Sequence, residues 1–325
     1  MREALFIKQN AEKWKGFENM ESKDPDLLAE CFISVTDDLA YAKTFYPKSK
    51  TTAYLNGLAS RFHQSLYRNK KERLSRLSAF WRYELPLIFK SREKELLYSL
   101  IIFVVFCLVG VVSARSDSSF VRLIMGDEYI KMTNDNIEKG DPFGVYKSHN
   151  EFAMFILIAF NNIAVSFYEF VSGIFLSVGT IFLLIKNGIM LGSFQYYFFS
   201  KGLGWNSVLV IWIHGTLEIS AVVIAGAAGL TLGNSILFPK TYTRMVSVKK
   251  GALEGLKIII GLIPVFICAA FLEGFITRHT EMPVWTSVSI LILSLSFIIW
   301  YVIIYPSVLT RKLEKGLAPK ISDPS

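Results

Sequence analysis

Apolar and polar positions divide the chain into two unlike parts. From residue 96 onward, apolar residues come in runs, several of them long enough to cross a bilayer as helices, which takes about 20 residues each. The first run is 96–114, "LLYSLIIFVVFCLVGVVSA". A second and third fill 151–186, with a break expected between Tyr168 and Gly173. The fourth is 208–230, the fifth 256–276 and the sixth 285–305. Between the third and fourth lies "NGIMLGSFQYYFFSKGLGWNS", whose Tyr, Phe and Trp read as an interfacial segment. Residues 1–95 instead mix charge with scattered apolar positions at helical spacing: Leu5, Gln9, Trp14 and Phe17 mark one imperfect stripe. A longer candidate helix starts at Thr51 and is expected to end at Pro86. The pattern predicts an all-α, polytopic bundle of about six crossings. It would carry a helical region at 1–95, a membrane domain at 96–310 and a tail at 311–325. The 151–186 pair forms either two crossings or a re-entrant hairpin.

Composition sharpens this picture. Of 325 residues, 52% are hydrophobic and the net charge is +8. Such a basic balance can indicate nucleic acid, but here the basic residues sit beside apolar runs, as the positive-inside rule describes. Residues 1–95 carry 18 Lys/Arg, the loop 231–253 has four and no acid, and residues 115–148 hold five basic and six acidic residues. The termini and the 231–253 loop are therefore expected in the cytoplasm, and 115–148 outside as a small helical cap. Between Arg61 and Lys94 there are ten Lys/Arg against three Glu. This stretch reads either as a lipid-headgroup surface or as the solvated face of a helical bundle. Met1–Asn19 is charged throughout, so 96–114 is expected to be a retained helix rather than a signal peptide. Cys31, Cys107 and Cys268 form neither a disulfide framework nor a zinc motif, and "NDNIEKGD" lacks the spacing of a calcium loop. The final "APKISDPS" is expected to be disordered.

Polar residues inside the apolar runs are the candidate chemistry. In "IHGTLEISAVVIAGAAGL", His214 and Glu218 share one helix face, and the same face continues through Ala221, Ala225 and Gly229. Small residues at four-residue spacing allow a close helix–helix approach, so this face is expected to meet protein. Glu273, Asn161, Asn162 and Asn187 are placed at comparable outer-leaflet depth by the six-crossing topology, with Asn187 at the outer end of the third helix. Glu254 falls on the cytoplasmic side. A charged group at the bilayer centre costs at least about 2.5 kcal/mol, so these groups should be paired, neutralised or hydrated. Three readings stay open: a structural or partner-binding cluster, a transport path, and an intramembrane hydrolase. The last lacks support, because neither H-E-x-x-H nor G-x-S-x-G occurs and His63, His149 and His279 lie in or near loops.

These stretches resemble the stage II sporulation protein M family of integral membrane proteins. "HGTLEISAVVIAGAAGL" carries most of the likeness. "FNNIAVSFYEFVSGIFLSVGTIFLLIKNGIMLG" and "LEGLKIIIGLIPVFICAAFLEGFITRH" extend it. "DDLAYAKTFYPKSKTTAYLNGLASRFHQSLYR", with Asp38-Leu39-Ala40, Leu55-Asn56 and His63, is similar to the cytoplasmic region of the broadly distributed, longer members. The resemblance implies an inner-membrane scaffold or regulator without enzymatic activity, linked to remodelling of the cell envelope, and no cofactor or metal is expected. Implied partners are membrane lipids and envelope proteins, such as peptidoglycan hydrolases or a MoxR-type AAA ATPase system. Self-association is left open, and no nucleic-acid partner is implied.

Overall fold

The computed structural model describes residues 2–18, 20, 25–67, 74–144, 150–277 and 282–315. The expectation for "APKISDPS", and the positions of His149 and His279, lie outside the described residues. Every regular element among the described residues is helical, and the chain forms two compact units, Met1–Arg76 and Leu77–Ser325.

The first unit is built from α1 (Glu3–Glu18), α2 (Pro25–Phe45) and α3 (Lys50–Tyr67). In α2 the buried positions Leu28, Cys31, Val35, Leu39 and Ala42 follow a 3–4 spacing, and in α3 Leu55, Leu58, Ala59 and Phe62 do the same. The α1 stripe is displaced by one residue from the expected one. Phe6 is buried and Leu5 is 48% exposed, because the face running through Phe6, Asn10 and Trp14 meets the core at i+4 spacing. Trp14 Nε1 donates to Asp38 Oδ2 at 2.8 Å, so the buried indole leaves no donor unpaired. Ser49 caps α3 by accepting from the Thr52 amide at 3.1 Å.

In the second unit, six helices are long and apolar enough to cross a membrane: Glu93–Ser116, Glu151–Ile174, Val178–Ser200, Gly204–Leu237, Arg244–Ile276 and Val284–Glu314. The short α4 (Leu74–Ala79) and α5 (Leu85–Ser91) precede α6 (Glu93–Ser116). Leu85, Ile88 and Phe89 belong to the largest buried cluster of the bundle, so residues 77–91 pack with the membrane helices rather than with the first three. Pro86 does not end a helix as the sequence predicts. A π-helical turn at Phe80–Glu84 precedes it and places it in the first turn of α5, where a missing N–H is tolerated. The carbonyls of Trp81 and Arg82, which the amide of residue 86 would otherwise reach, accept instead from Tyr301 Oη and Tyr305 Oη at 2.7 Å each. Tyr301 lies within a second π-helical turn, Trp300–Ile304, between α13 (Val284–Ile299) and α14 (Tyr305–Glu314), and Tyr305 follows it directly. Pro306 follows it in the same register.

The predicted cap at 115–148 contains α7 (Ser118–Met125) and α8 (Asp127–Glu138). Val121 and Ile130 of this cap cluster with Tyr197 and Phe198, and Tyr197 Oη donates to Asn134 at 2.8 Å. The pair expected in 151–186 is α9 (Glu151–Val171) and α10 (Val178–Ser200). The break falls at 172–177, further along than expected, where Leu176 and Ser177 take positive φ values of 55° and 70°. The third helix also runs past 186 to Ser200, so the "interfacial" stretch is mostly helix. Its glycines explain the difference. Gly188 and Gly192 lie so close to the α6 backbone at Phe103 and Cys107 that a Cβ would collide with it. They are contact points within the bundle rather than loop residues.

Candidate functional site

α11 (Gly204–Leu237) is the central helix and packs against α6, α9, α10, α13 and α12 (Arg244–Phe271). Its middle consists of small residues. Ala221, Ala225, Ala227 and Ala228 have no exposed surface. A Cβ at Gly229 would come within 2.6 Å of the Glu169 carbonyl, and one at Gly233 within 2.8 Å of the Gly173 carbonyl. The lower half of α11 is thus pressed against the end of α9 and the 172–177 break.

The polar end of α11 lies one to two turns before this tight region. His214 is 4% exposed. Glu218 bonds to the Asn162 side-chain amide of α9. Across from them a third π-helical turn, Leu272–Ile276, follows α12 and carries Glu273; it closes through the Thr277 amide to the Leu272 carbonyl at 2.8 Å. The extra residue in this turn changes the facing of the helix end, a feature often found at functional sites. Thr277 Oγ1 lies 3.0 Å from His214 Nδ1, and His214 Nε2 lies 3.8 Å from Glu273 Oε2. One ligand atom from each of His214, Glu218 and Glu273 lies within 4.8 Å of the others. Three helices therefore bring one imidazole, two carboxylates, an amide and a hydroxyl together. This set can share protons, bind a cation or pin α9, α11 and α12 to one another.

Of the sequence-predicted polar residues, His214, Glu218, Glu273 and Asn162 meet here. Asn161 does not: it is exposed, about 100° around α9 from Asn162. Asn187 does not either. It sits midway along α10, beside Gly188, because that helix extends beyond the end expected for it.

Two features go beyond what the sequence predicts. Thr277 contacts His214 directly, yet in sequence it reads as one more residue beyond an apolar run. Glu169 has no exposed surface, and among the described residues neither carboxylate oxygen has a hydrogen-bond partner. It falls within the expected break, where an acid draws no attention. Only the exact position of that break, three residues beyond it, would reveal it as interior.

A separate polar network joins the ends of α6, α11 and α12. Arg92 Nε donates to Glu254 Oε2 at 2.7 Å, Arg92 also pairs with Glu95 at 3.3 Å, and Asn234 Nδ2 donates to Glu95 Oε1 at 2.9 Å. Glu254 thus belongs to a different site from Glu218 and Glu273.

A cavity of about 220 Å³ borders the cluster at Thr277, with Asn206, Ile213, Met282 and Ser287 among its walls. An apolar groove of about 750 Å³ runs along α6, α11 and α13, with Lys90 and Lys94 at one end.

Comparison with known proteins places these elements. A family model described as a domain of unknown function (DUF8413) matches residues 4–68, within the first compact unit. No curated protein and no solved structure matches the chain. The model described as Stage II sporulation protein M matches residues 99–278, a stretch that holds Asn162, His214, Glu218, Glu273 and Thr277. That stretch is more than half of the chain, and this multi-pass membrane protein belongs to the stage II sporulation protein M family.

Proposed function

We propose that the chain is a membrane scaffold or regulator, without chemistry of its own, that holds partner proteins through its first unit. The observation that carries this reading is the pairing of a self-contained helical unit, Met1–Arg76, with a membrane bundle matched by a different family model. A compact, charged domain with its own aromatic core offers a surface for proteins, while the bundle fixes it at the membrane. The loop charges favour the inner membrane with both termini cytoplasmic and α7–α8 outside. The partners would then be cytoplasmic or envelope proteins, such as a MoxR-type AAA ATPase system or peptidoglycan hydrolases. A second reading, transport, is favoured by one observation: the polar cavity reaches Thr277, next to His214.

Crosslinking and affinity capture of the full chain from native membranes tests the first reading. A discrete set of partners is expected, and reversing the exposed Lys8 and Lys15 to Glu should release them while the bundle stays folded. The opposite result would be solute or proton flux in proteoliposomes containing the chain alone, abolished by Glu218→Gln. That outcome would replace the scaffold by a transporter.

A further inference from the structure

We propose that His214, Glu218 and Glu273 bind a divalent cation of the zinc class between α11 and the π-helical turn that follows α12. This inference is independent of the scaffold reading.

The first argument is the direction of the imidazole. The single hydroxyl proton of Thr277 is directed to the Leu272 carbonyl at 3.2 Å. The same Thr277 oxygen lies 3.0 Å from His214 Nδ1. That contact orients the imidazole so that Nε2 lies on the side of the Glu273 carboxylate, 3.8 Å from Oε2. A neutral imidazole whose Nδ1–H is held by an oxygen is the usual form of a metal-binding histidine.

The second argument is charge. Two half-buried carboxylates lie with His214 inside one 4.8 Å cluster, close enough to repel each other when both are ionised. A divalent cation balances both and replaces the lost hydration, where a solitary carboxylate would be costly.

The third is geometry. Ligand bonds of about 2.1 Å in a tetrahedral site put ligand atoms roughly 3.4 Å apart. The observed separations, 3.8 Å from Nε2 to Oε2 and within 4.8 Å for the whole set, have to contract by about 0.4 to 1.4 Å to close on an ion. The donors also have outer partners that fix them: Asn162 holds Glu218, and Thr277 holds His214. Imidazole together with carboxylate suits zinc better than calcium or magnesium, which prefer oxygen alone. The cavity beside Thr277 comes within one side chain of His214.

The test uses the full chain, purified in detergent, stripped with a chelator and titrated with ZnCl₂. One Zn²⁺ per chain is expected, with an X-ray absorption first shell of nitrogen and oxygen only. The thermal midpoint should rise with zinc and fall back with chelator. Glu273→Gln and His214→Gln should each weaken binding more than 10-fold. Thr277→Val removes only the outer partner and should weaken it about 10- to 100-fold. Asn161→Ala, exposed on α9, should leave binding unchanged. If His214→Gln fails to fold, Glu273→Gln and the wild-type zinc shift still decide the question. Zinc that remains on Glu273→Gln at the wild-type level would mark an adventitious ion elsewhere and overturn the site. A folded wild-type chain that takes up no zinc would overturn it too, leaving a shared proton between the carboxylates as the explanation.

Discussion

The two units solve the same packing problem with opposite materials. The first fills its interior with Phe6, Trp14, Leu55 and Phe62, large side chains whose removal from water drives the fold. The second brings backbones together through Gly188, Gly192, Gly229 and Gly233, with Ala221 and Ala225 between helices. In lipid, apolar side chains gain little by leaving the solvent, so helices associate through close contact and buried hydrogen bonds. Phe89, Phe198 and Phe266 are buried in the bundle, but many of its other bulky apolar residues face outward. Leu108, Phe160, Phe182 and Leu293 are each 60% exposed or more. Side-chain volume stabilises the first unit, and in the second it is joined by close backbone contact at small residues.

The sharpest way to break this contrast is to remove volume where volume matters. Trp14→Ala should destabilise the first unit by about 3–5 kcal/mol, in the range for buried aromatic truncations. Hydrogen exchange on the full chain would show this as lost protection in α2 and α3. Equal loss in α11 would mean that the two units unfold as one.

The converse experiment adds volume where there is no room. Gly229→Leu should cost about 3 kcal/mol, at the upper end for overpacking. The clash is with the carbonyl of Glu169 in a facing helix, which cannot rotate away as a side chain would. Thermal unfolding in detergent measures it. Ile292→Leu, on the exposed surface of α13, is the control and should have no effect. A tolerated Gly229→Leu would show that α9 and α11 separate without penalty.

The smallest effect has the reverse sign. Gly57 lies within α3, and a Cβ added there would meet nothing within 4 Å. Gly57→Ala should therefore stabilise the first unit by about 0.5–1 kcal/mol through helix propensity alone. Urea unfolding of the full chain, followed at the α3 amides, checks it.

Much of this arrangement is legible in sequence, for reasons that also mark where legibility stops. Run length and hydropathy reveal six apolar helices because lipid demands about 20 apolar residues from each. The 3–4 spacing in α2 survives because water demands one polar face. The end of α10 is not legible. Glycine, Gln195 and the tyrosines of 187–200 suit an interface in composition, and nothing local says that the glycines meet α6. The π-helical turns are hidden as well, since one extra residue per turn shifts the periodicity without altering composition. That shift aims Glu273 and Thr277 at His214. The convergence of His214, Glu218, Glu273 and Asn162 requires three helices to be placed, and a single step of helical rotation separates Asn162 from its neighbour Asn161.

The hydrogen bond between the π-helical turns Trp300–Ile304 and Phe80–Glu84 imposes an order on how this sequence can drift. While Pro86 is present, the Trp81 carbonyl depends on Tyr301, more than 200 positions away in the chain. Losing the tyrosine first strands that carbonyl in a part-buried position. Losing the proline first restores a local amide and makes the distant hydroxyl redundant. The two replacements end at the same pair of residues, but only one sequence of steps avoids a weakened intermediate. A lineage that has taken that path has no reason to keep the tyrosine, and it would regain the proline only at a cost. The contact acts as a ratchet, easily released in one direction and hard to reassemble in the other.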